Sequence, residues 1–144
     1  MKNFIIFLSG KCKGLSKEEQ NKWRYYIREQ LEQNNDSKCK VTVINPNEYF
    51  NYFENLHKTN KQIKRYFISM IDKSDLIIVN LNNSDSSVGT GQELQHAVDK
   101  NIPIIGFGTE NIYEWESEND CDVVFETIEE CVKYVRDYYI NIYN

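Results

Sequence analysis

Two short stretches concentrate the residue types that hold a small anionic ligand. Ser9-Gly10-Lys11-Cys12-Lys13-Gly14 follows an apolar run, and Ser86-Ser87-Val88-Gly89-Thr90-Gly91-Gln92-Glu93 precedes a helical pattern. Glycine lets backbone N–H groups come close to a ligand, and serine hydroxyls donate to anionic oxygens. The second stretch opens directly into a helix, whose N-terminus favours negative charge. Glu93 falls near the start of that helix, where the dipole stabilises a carboxylate by roughly a few tenths of a kcal/mol. Lys11 and Lys13 supply positive charge on the facing loop or stand as solvated surface residues. Ser87 reads equally well as a helix cap.

Other chemistry-bearing residues form no motif. Cys12, Cys39, Cys121 and Cys131 contain no CxxC pair and have no nearby histidine, so zinc and redox motifs are absent. His57 and His96 are isolated, which favours surface or partner-helix roles. Asp75, immediately before an apolar run, is placed to hold backbone instead of a ligand.

The elements that must position the two loops are legible from periodicity. Residues 3 to 9 form an apolar run of the kind buried on both faces of a parallel sheet. Ser16 and Glu19 make a capping box, followed by an apolar face of Trp23, Ile27 and Leu31. Strands are expected at 39 to 44, 75 to 81, 102 to 107 and, more weakly, 122 to 125. Ile63, Phe67, Met70 and Ile71 mark an amphipathic helix, and residues 89 to 100 another. Tyr49, Phe50, Tyr52 and Phe53 make a short helix or an aromatic flap. Thr127 and Glu130 read as a second capping box, before a stripe of Ile128, Cys131, Val132, Val135, Tyr139 and Ile142. Five alternations of strand and helix predict a flavodoxin-like α/β three-layer sandwich, its five-stranded parallel sheet in the order 2-1-3-4-5. The two Gly-rich loops then meet where the strand order reverses, which is where such sheets bind ligands.

Length and charge narrow the function classes. The 144 residues fit one domain spanning 1–144. A net charge of −5 argues against a nucleic-acid polymer as partner, although Lys58, Lys61, Lys64 and Arg65 leave a small phosphorylated ligand open. The acidic excess from Glu110 to Glu130 reads as solvated surface. The run Phe4 to Leu8 is too short to span a membrane and lacks a signal-peptide cleavage site. A cytoplasmic protein with reduced thiols is expected.

Four segments resemble the nucleoside 2-deoxyribosyltransferase family. They are Phe7-Leu8-Ser9-Gly10, Lys22-Trp23-Arg24, Ser74 to Val79, and Ser87-Val88-Gly89-Thr90-Gly91-Gln92-Glu93-Leu94 followed by Ala97. The last is the most specific. The resemblance makes Glu93 the catalytic nucleophile, attacking the anomeric carbon of a deoxyribose and displacing the base through a glycosyl ester. It places Phe7, Ser9, Gly10, Lys11, Ser87, Gly89, Thr90 and Gly91 in the substrate-binding shell. It implies a small-molecule nucleoside or nucleotide as ligand, no metal or organic cofactor, and a homodimer in which residues 111 to 118 reach a neighbour's cleft. Ser87 is similar to the branch that hydrolyses deoxynucleoside 5′-monophosphates; relatives acting on free nucleosides often carry an acid there, which would repel phosphate.

One position departs from the family. An Asp usually stands about two helical turns before the strand-leading Asp; counting back from Asp75, that position is Phe67. Two further readings therefore stand beside an N-glycosidic enzyme. One is a non-catalytic nucleotide-binding or sensing domain on the same scaffold. The other is a glycosidase for a different nucleotide such as NAD, which no residue in the sequence selects.

Overall fold

The computed structural model describes residues 2–33, 38–52 and 56–141. Five parallel strands, β1 (Lys2–Gly10), β2 (Cys39–Ile44), β3 (Leu76–Asn80), β4 (Ile104–Phe107) and β5 (Val123–Phe125), lie in the order β2-β1-β3-β4-β5. The helices are α1 (Lys17–Glu32), α2 (Pro46–Tyr52), α3 (Asn60–Asp72), α4 (Val88–Asp99) and α5 (Ile128–Tyr134). β1 and β3 pair so that Ser9 lies beside Val79 and Gly10 beside Asn80. Their carboxyl ends are therefore level.

The pleat of β1 explains the three layers. Phe4, Ile6 and Leu8 point to one face, packing with Ile27 and Leu31 of α1 and Cys131, Val132 and Val135 near the C-terminus. Phe7 points to the other face, with Met70 and Ile71 of α3, Leu94 and Ala97 of α4, and Ile77 and Val79 of β3. Strands buried on both sides must be almost wholly apolar, which is why β3 reads Leu-Ile-Ile-Val.

Two aspartates fix strand starts. Asp75 Oδ2 accepts from the Ile5 N–H at 2.8 Å, and Asp122 Oδ2 accepts from the Ile104 N–H at 2.8 Å. Each side chain thus satisfies an N–H on the neighbouring strand. Asp75 sits at the amino end of β3, opposite to the carboxyl ends where β1 and β3 lie level.

Local signals hold at most helix starts. Ser16 and Glu19 form a complete capping box on α1, and Thr59 with Gln62 forms another on α3. At α5 the box is half made: Thr127 accepts from the Glu130 N–H, but its hydroxyl donates to the Glu130 carboxylate, so that carboxylate does not return to the cap backbone. The final stripe also differs from an ideal helix. Residues Val135–Ile140 wind as a π-helix, so the residue buried after Val135 is Ile140, five positions on. Phe53 and Ile142, expected in the aromatic segment and in this stripe, lie outside the described residues, as does the side chain of Tyr52. Among the described residues no helix is long and apolar enough to cross a membrane.

The acidic segment after residue 110 is not all solvated. Glu116 is 2 % exposed, and neither carboxylate oxygen has a hydrogen-bond partner. It packs beneath the first turn of α4, where a Cβ on Gly91 would lie 3.3 Å from Glu116 Oε2. Burial pushes its pKa up to about 7; the nearby Ser84 hydroxyl offsets this in part, and Asp120 adds to it. Composition shows such a residue as one acid among many, because only the fold decides which is turned inward.

Two stability measurements test this packing. A Cβ on Gly106 would lie 2.8 Å from Leu81 Cδ1 and 3.1 Å from Cys121 Sγ, so Gly106→Ala should destabilise by about 1–3 kcal/mol in urea unfolding. For Glu116, the folded pKa of about 7 exceeds its ordinary value of 4.5. The stability difference between wild type and Glu116→Gln should therefore favour wild type most below pH 4.5 and shift against it as pH rises to 7, by up to about 3 kcal/mol. Parallel stability–pH curves for the two proteins would contradict this burial.

Candidate active site

A cleft of about 550 Å³ opens at the carboxyl ends of β1 and β3. One wall is the loop after β1, with Gly10, Lys11, Cys12 and Lys13; a second is the segment Ser86 to Thr90 with Gln92 and Glu93. The third is a face of α3, with Asn60, Ile63, Lys64, Phe67 and Ile68. The first two walls meet because β1 and β3 are neighbours. α3 joins them because Met70 and Ile71 anchor its far end in the core.

Glu93 is reached from β1. The Ser9 hydroxyl, wholly buried, donates to Glu93 Oε1 at 2.9 Å, tying the end of the central strand to α4. Desolvation raises the Glu93 pKa to about 7, opposed by the Ser9 hydrogen bond and the positive charge of Arg24. Arg24 is 1 % exposed and donates to the Gly10 carbonyl at 3.1 Å and to the Gln20 carbonyl. Burial lowers its pKa, while Cys12 and Glu93 hold the guanidinium charged. Trp23 packs on the other side of Gly10, where an added Cβ would lie 2.8 Å from Trp23 Cζ2. The Trp23-Arg24 pair thus grips the loop from which the site hangs.

Polar contacts bridge the cleft mouth. Lys11 Nζ donates to Ser86 Oγ at 2.7 Å, so this lysine closes one loop onto the other. Ser87 stands at the N-cap of α4, but its hydroxyl lies 2.7 Å from Thr90 Oγ1 and makes no capping bond to backbone. Gly89 leaves open space above the first turn of α4.

The residues singled out from sequence divide accordingly. Gly10, Lys11, Ser87, Gly89, Thr90 and Glu93 line the cleft, and Ser9 stands behind Glu93. Phe7 does not; the pleat that turns Ser9 toward Glu93 sends Phe7 into the core between sheet and α3–α4. Gly91 faces Glu116, away from the opening. Phe67 packs partly on the core and also lines the cleft. His96 pairs with Asp72 at 2.6 Å, and His57 stacks on Phe50 with centroids 6.1 Å apart; neither lines the cleft. The described aromatics of the Tyr49–Phe53 segment stay off it too.

What sequence reasoning missed is that one face of α3 forms a whole wall of the cleft and that Arg24, noted only within the Lys22-Trp23-Arg24 segment, is buried beside it. Asn60, Ile63, Lys64, Phe67 and Ile68 do recur at helical spacing, but that pattern reads as a core face. Nothing within the Lys22-Trp23-Arg24 segment shows that Arg24 is turned inward. Among the described residues no His, Cys, Asp and Glu side chains gather into a metal-binding group.

Known proteins resemble this architecture. A structure of a 2-desoxiribosyltransferase from Leishmania mexicana superposes with a TM-score of 0.65 at 16 % identity, covering 95 % of this chain and 99 % of that one. A conserved protein from Enterococcus faecalis V583 superposes with a TM-score of 0.64 at 12 % identity, covering 93 % and 98 %. At those identities the likeness concerns the fold. No curated protein matches in sequence. The model of the family described as Nucleoside 2-deoxyribosyltransferase matches residues 6–125, which include both cleft loops, α3 and Glu93. The chain belongs to the nucleoside 2-deoxyribosyltransferase family.

Proposed function

We propose that this chain cleaves or transfers the N-glycosidic bond of a nucleoside or its 5′-monophosphate through a covalent glycosyl ester on Glu93. The observation that carries the reading is the Glu93 carboxylate, held by Ser9 at 2.9 Å in the cleft where the strand order reverses. Ser9 orients Oε1 and leaves Oε2 to attack the anomeric carbon. As the bond to the base lengthens, positive charge grows on the sugar, and an adjacent carboxylate stabilises it before forming the ester. Water or a second base then resolves that ester.

A phosphorylated substrate is favoured by the mouth of the cleft. Ser86, Ser87 and the N-terminus of α4 offer donors, and Lys11, Lys13 and Lys64 line the same opening. The chain is read as a homodimer from the apolar surface near this mouth: Val88 is 77 % and Trp115 69 % exposed, with Tyr113 stacked on Trp115. Sedimentation equilibrium should show two copies; a monomer at all concentrations would exclude a shared cleft. One observation supports a second reading, a nucleotide-binding domain without turnover: the apolar Phe67 stands in the cleft lining.

Chromatographic detection of free base separates the two readings. Wild type should release base from at least one nucleoside or 5′-monophosphate, and Glu93→Ala should lower the rate by at least about 10³-fold while remaining folded. Ligand-induced thermal stabilisation without base release would favour the binding domain. The attacking group must be ionised and its pKa is about 7, so kcat/KM should rise about tenfold per pH unit below 7 and level above it. Stability should move oppositely, because a buried carboxylate raised from 4.5 to about 7 weakens the fold as pH climbs between those values. A rate independent of pH from 5 to 8 (roughly two units below and one above that pKa) would contradict the raised pKa of Glu93 as the group that limits the reaction.

A further inference from the structure

We propose that the cleft is built for nucleotides whose base is already cationic at its glycosidic nitrogen, the pyridinium nucleotides being the class that fits. The inference rests on Glu93 acting as the nucleophile.

The leaving group sets the requirement. When the anomeric carbon separates from a neutral base, the electron pair of the bond stays on nitrogen and the base departs as an anion unless a proton arrives. A positioned acid that delivers this proton is worth about 10²–10⁴-fold in rate. Glu93 does not serve as nucleophile and acid in one step. Among the described residues that line the cleft, it is the carboxylate present. The α3 wall presents Phe67, flanked by Ile63 and Ile68, and the lysines of the lining, Lys11, Lys13 and Lys64, are the cations assigned above to the phosphate.

A pyridinium base needs no proton. Glu93 Oε2 forms a bond to the anomeric carbon, the carbon–nitrogen bond breaks, and its electron pair neutralises the ring nitrogen, so the base leaves as an uncharged pyridine. Water then attacks the glycosyl ester at the same carbon, the carboxylate is released, and one proton goes to solvent. The complete reaction consumes one water and needs no oxidant or reductant.

The walls suit both ends of such a ligand. An aromatic ring gives its face to a cation, with a gain of about 0.5–2 kcal/mol, and Phe67 provides that ring. A cationic base in this cleft has both an aromatic ring, Phe67, and a carboxylate, Glu93, in its lining. The 5′-phosphate then lies toward Lys13, Lys64 and the N-terminus of α4, where the lysines line the opening. A neutral base would gain from the apolar wall but leave no faster.

Wild-type protein should be incubated separately with nicotinamide mononucleotide, with NAD, and with neutral ribo- and deoxyribonucleoside 5′-monophosphates. Free base is quantified by chromatography and the Glu93→Gln rate is subtracted. Release from a pyridinium nucleotide should exceed release from every neutral nucleotide by at least about 10²-fold. Equal or faster release of a neutral base, lost in Glu93→Gln, would overturn the inference while keeping Glu93 as nucleophile. No release from either class would sink the glycosidic reading itself, and this inference with it. This comparison uses the wild type, so it does not depend on a cleft variant folding. As a second arm, Phe67→Asp, checked for a cooperative thermal transition, should raise neutral-base release by at least about tenfold. No increase in that folded variant would also count against the inference.

Discussion

β1 pairs in parallel with β2 on one side and β3 on the other, so the chain leaves the sheet's centre in two opposite directions. Connections to parallel neighbours must cross over with a fixed hand, so α1 covers one face and α3 the other. A gap opens where they diverge, directly above the ends of β1 and β3. Every group that could do chemistry is hung around that gap. The register beside Ser9 and Val79 sets its floor, and Ser9's bond to Glu93 crosses it. Slipping β1 by one residue would exchange Ser9 with an apolar neighbour and turn Phe7 toward α1. The continuous burial of β1 and β3 on both faces makes that slip costly.

Positioning a carboxylate there requires ionisable groups in dry surroundings, and three such groups cluster at one end of the sheet. Arg24 is buried behind Gly10, Glu93 stands over Ser9, and Glu116 lies under the first turn of α4. None has an ion pair at contact distance, so each carries a desolvation cost that the apolar core must offset. Their arrangement still follows electrostatics. The cation and the Ser9 hydroxyl favour charge on Glu93, whereas Glu116 has only the nearby Ser84 hydroxyl in its favour and a neighbouring acid, Asp120, against it. Two carboxylic acids with similar pKa values near 7 thus have opposite surroundings, one facing a ligand space and the other sealed.

The sheet order, the helix starts and the meeting of two Gly-rich loops were legible because they depend on local periodicity, caps and a topological rule. That Glu93 lines the cleft was legible through the segment around it. Phe7 was not, because a resemblance across Phe7 to Gly10 says nothing about which face of the pleat each residue takes; alternation sends Ser9 one way and Phe7 with the core. Arg24 and Glu116 were hidden for another reason. Burial of a charged side chain is a property of tertiary packing, and their sequence neighbours look like ordinary amphipathic helix and acidic surface. The α3 wall lies between these cases: its spacing was visible, but a helix with one apolar face gives no sign that part of that face borders a cavity. The one-residue advance of the final stripe to Ile140 follows from a π-turn that periodicity at 3.6 cannot anticipate.

Glu93 and Phe67 are best understood together. Desolvation raises the Glu93 pKa to about 7, and the apolar side chains of α3 line the same cleft. A second acid at residue 67 would repel the Glu93 carboxylate and push its pKa higher still, so exchanging it for an aromatic ring removes one obstacle to ionisation as well as one proton source. A ligand cation would act in the opposite sense to desolvation. Placed within a few ångströms, it favours the charged carboxylate by the same mechanism that Arg24 already uses from behind. On the proposed reading a cationic substrate offsets that desolvation, and the Glu93 carboxylate ionises fully as the positively charged base comes into position.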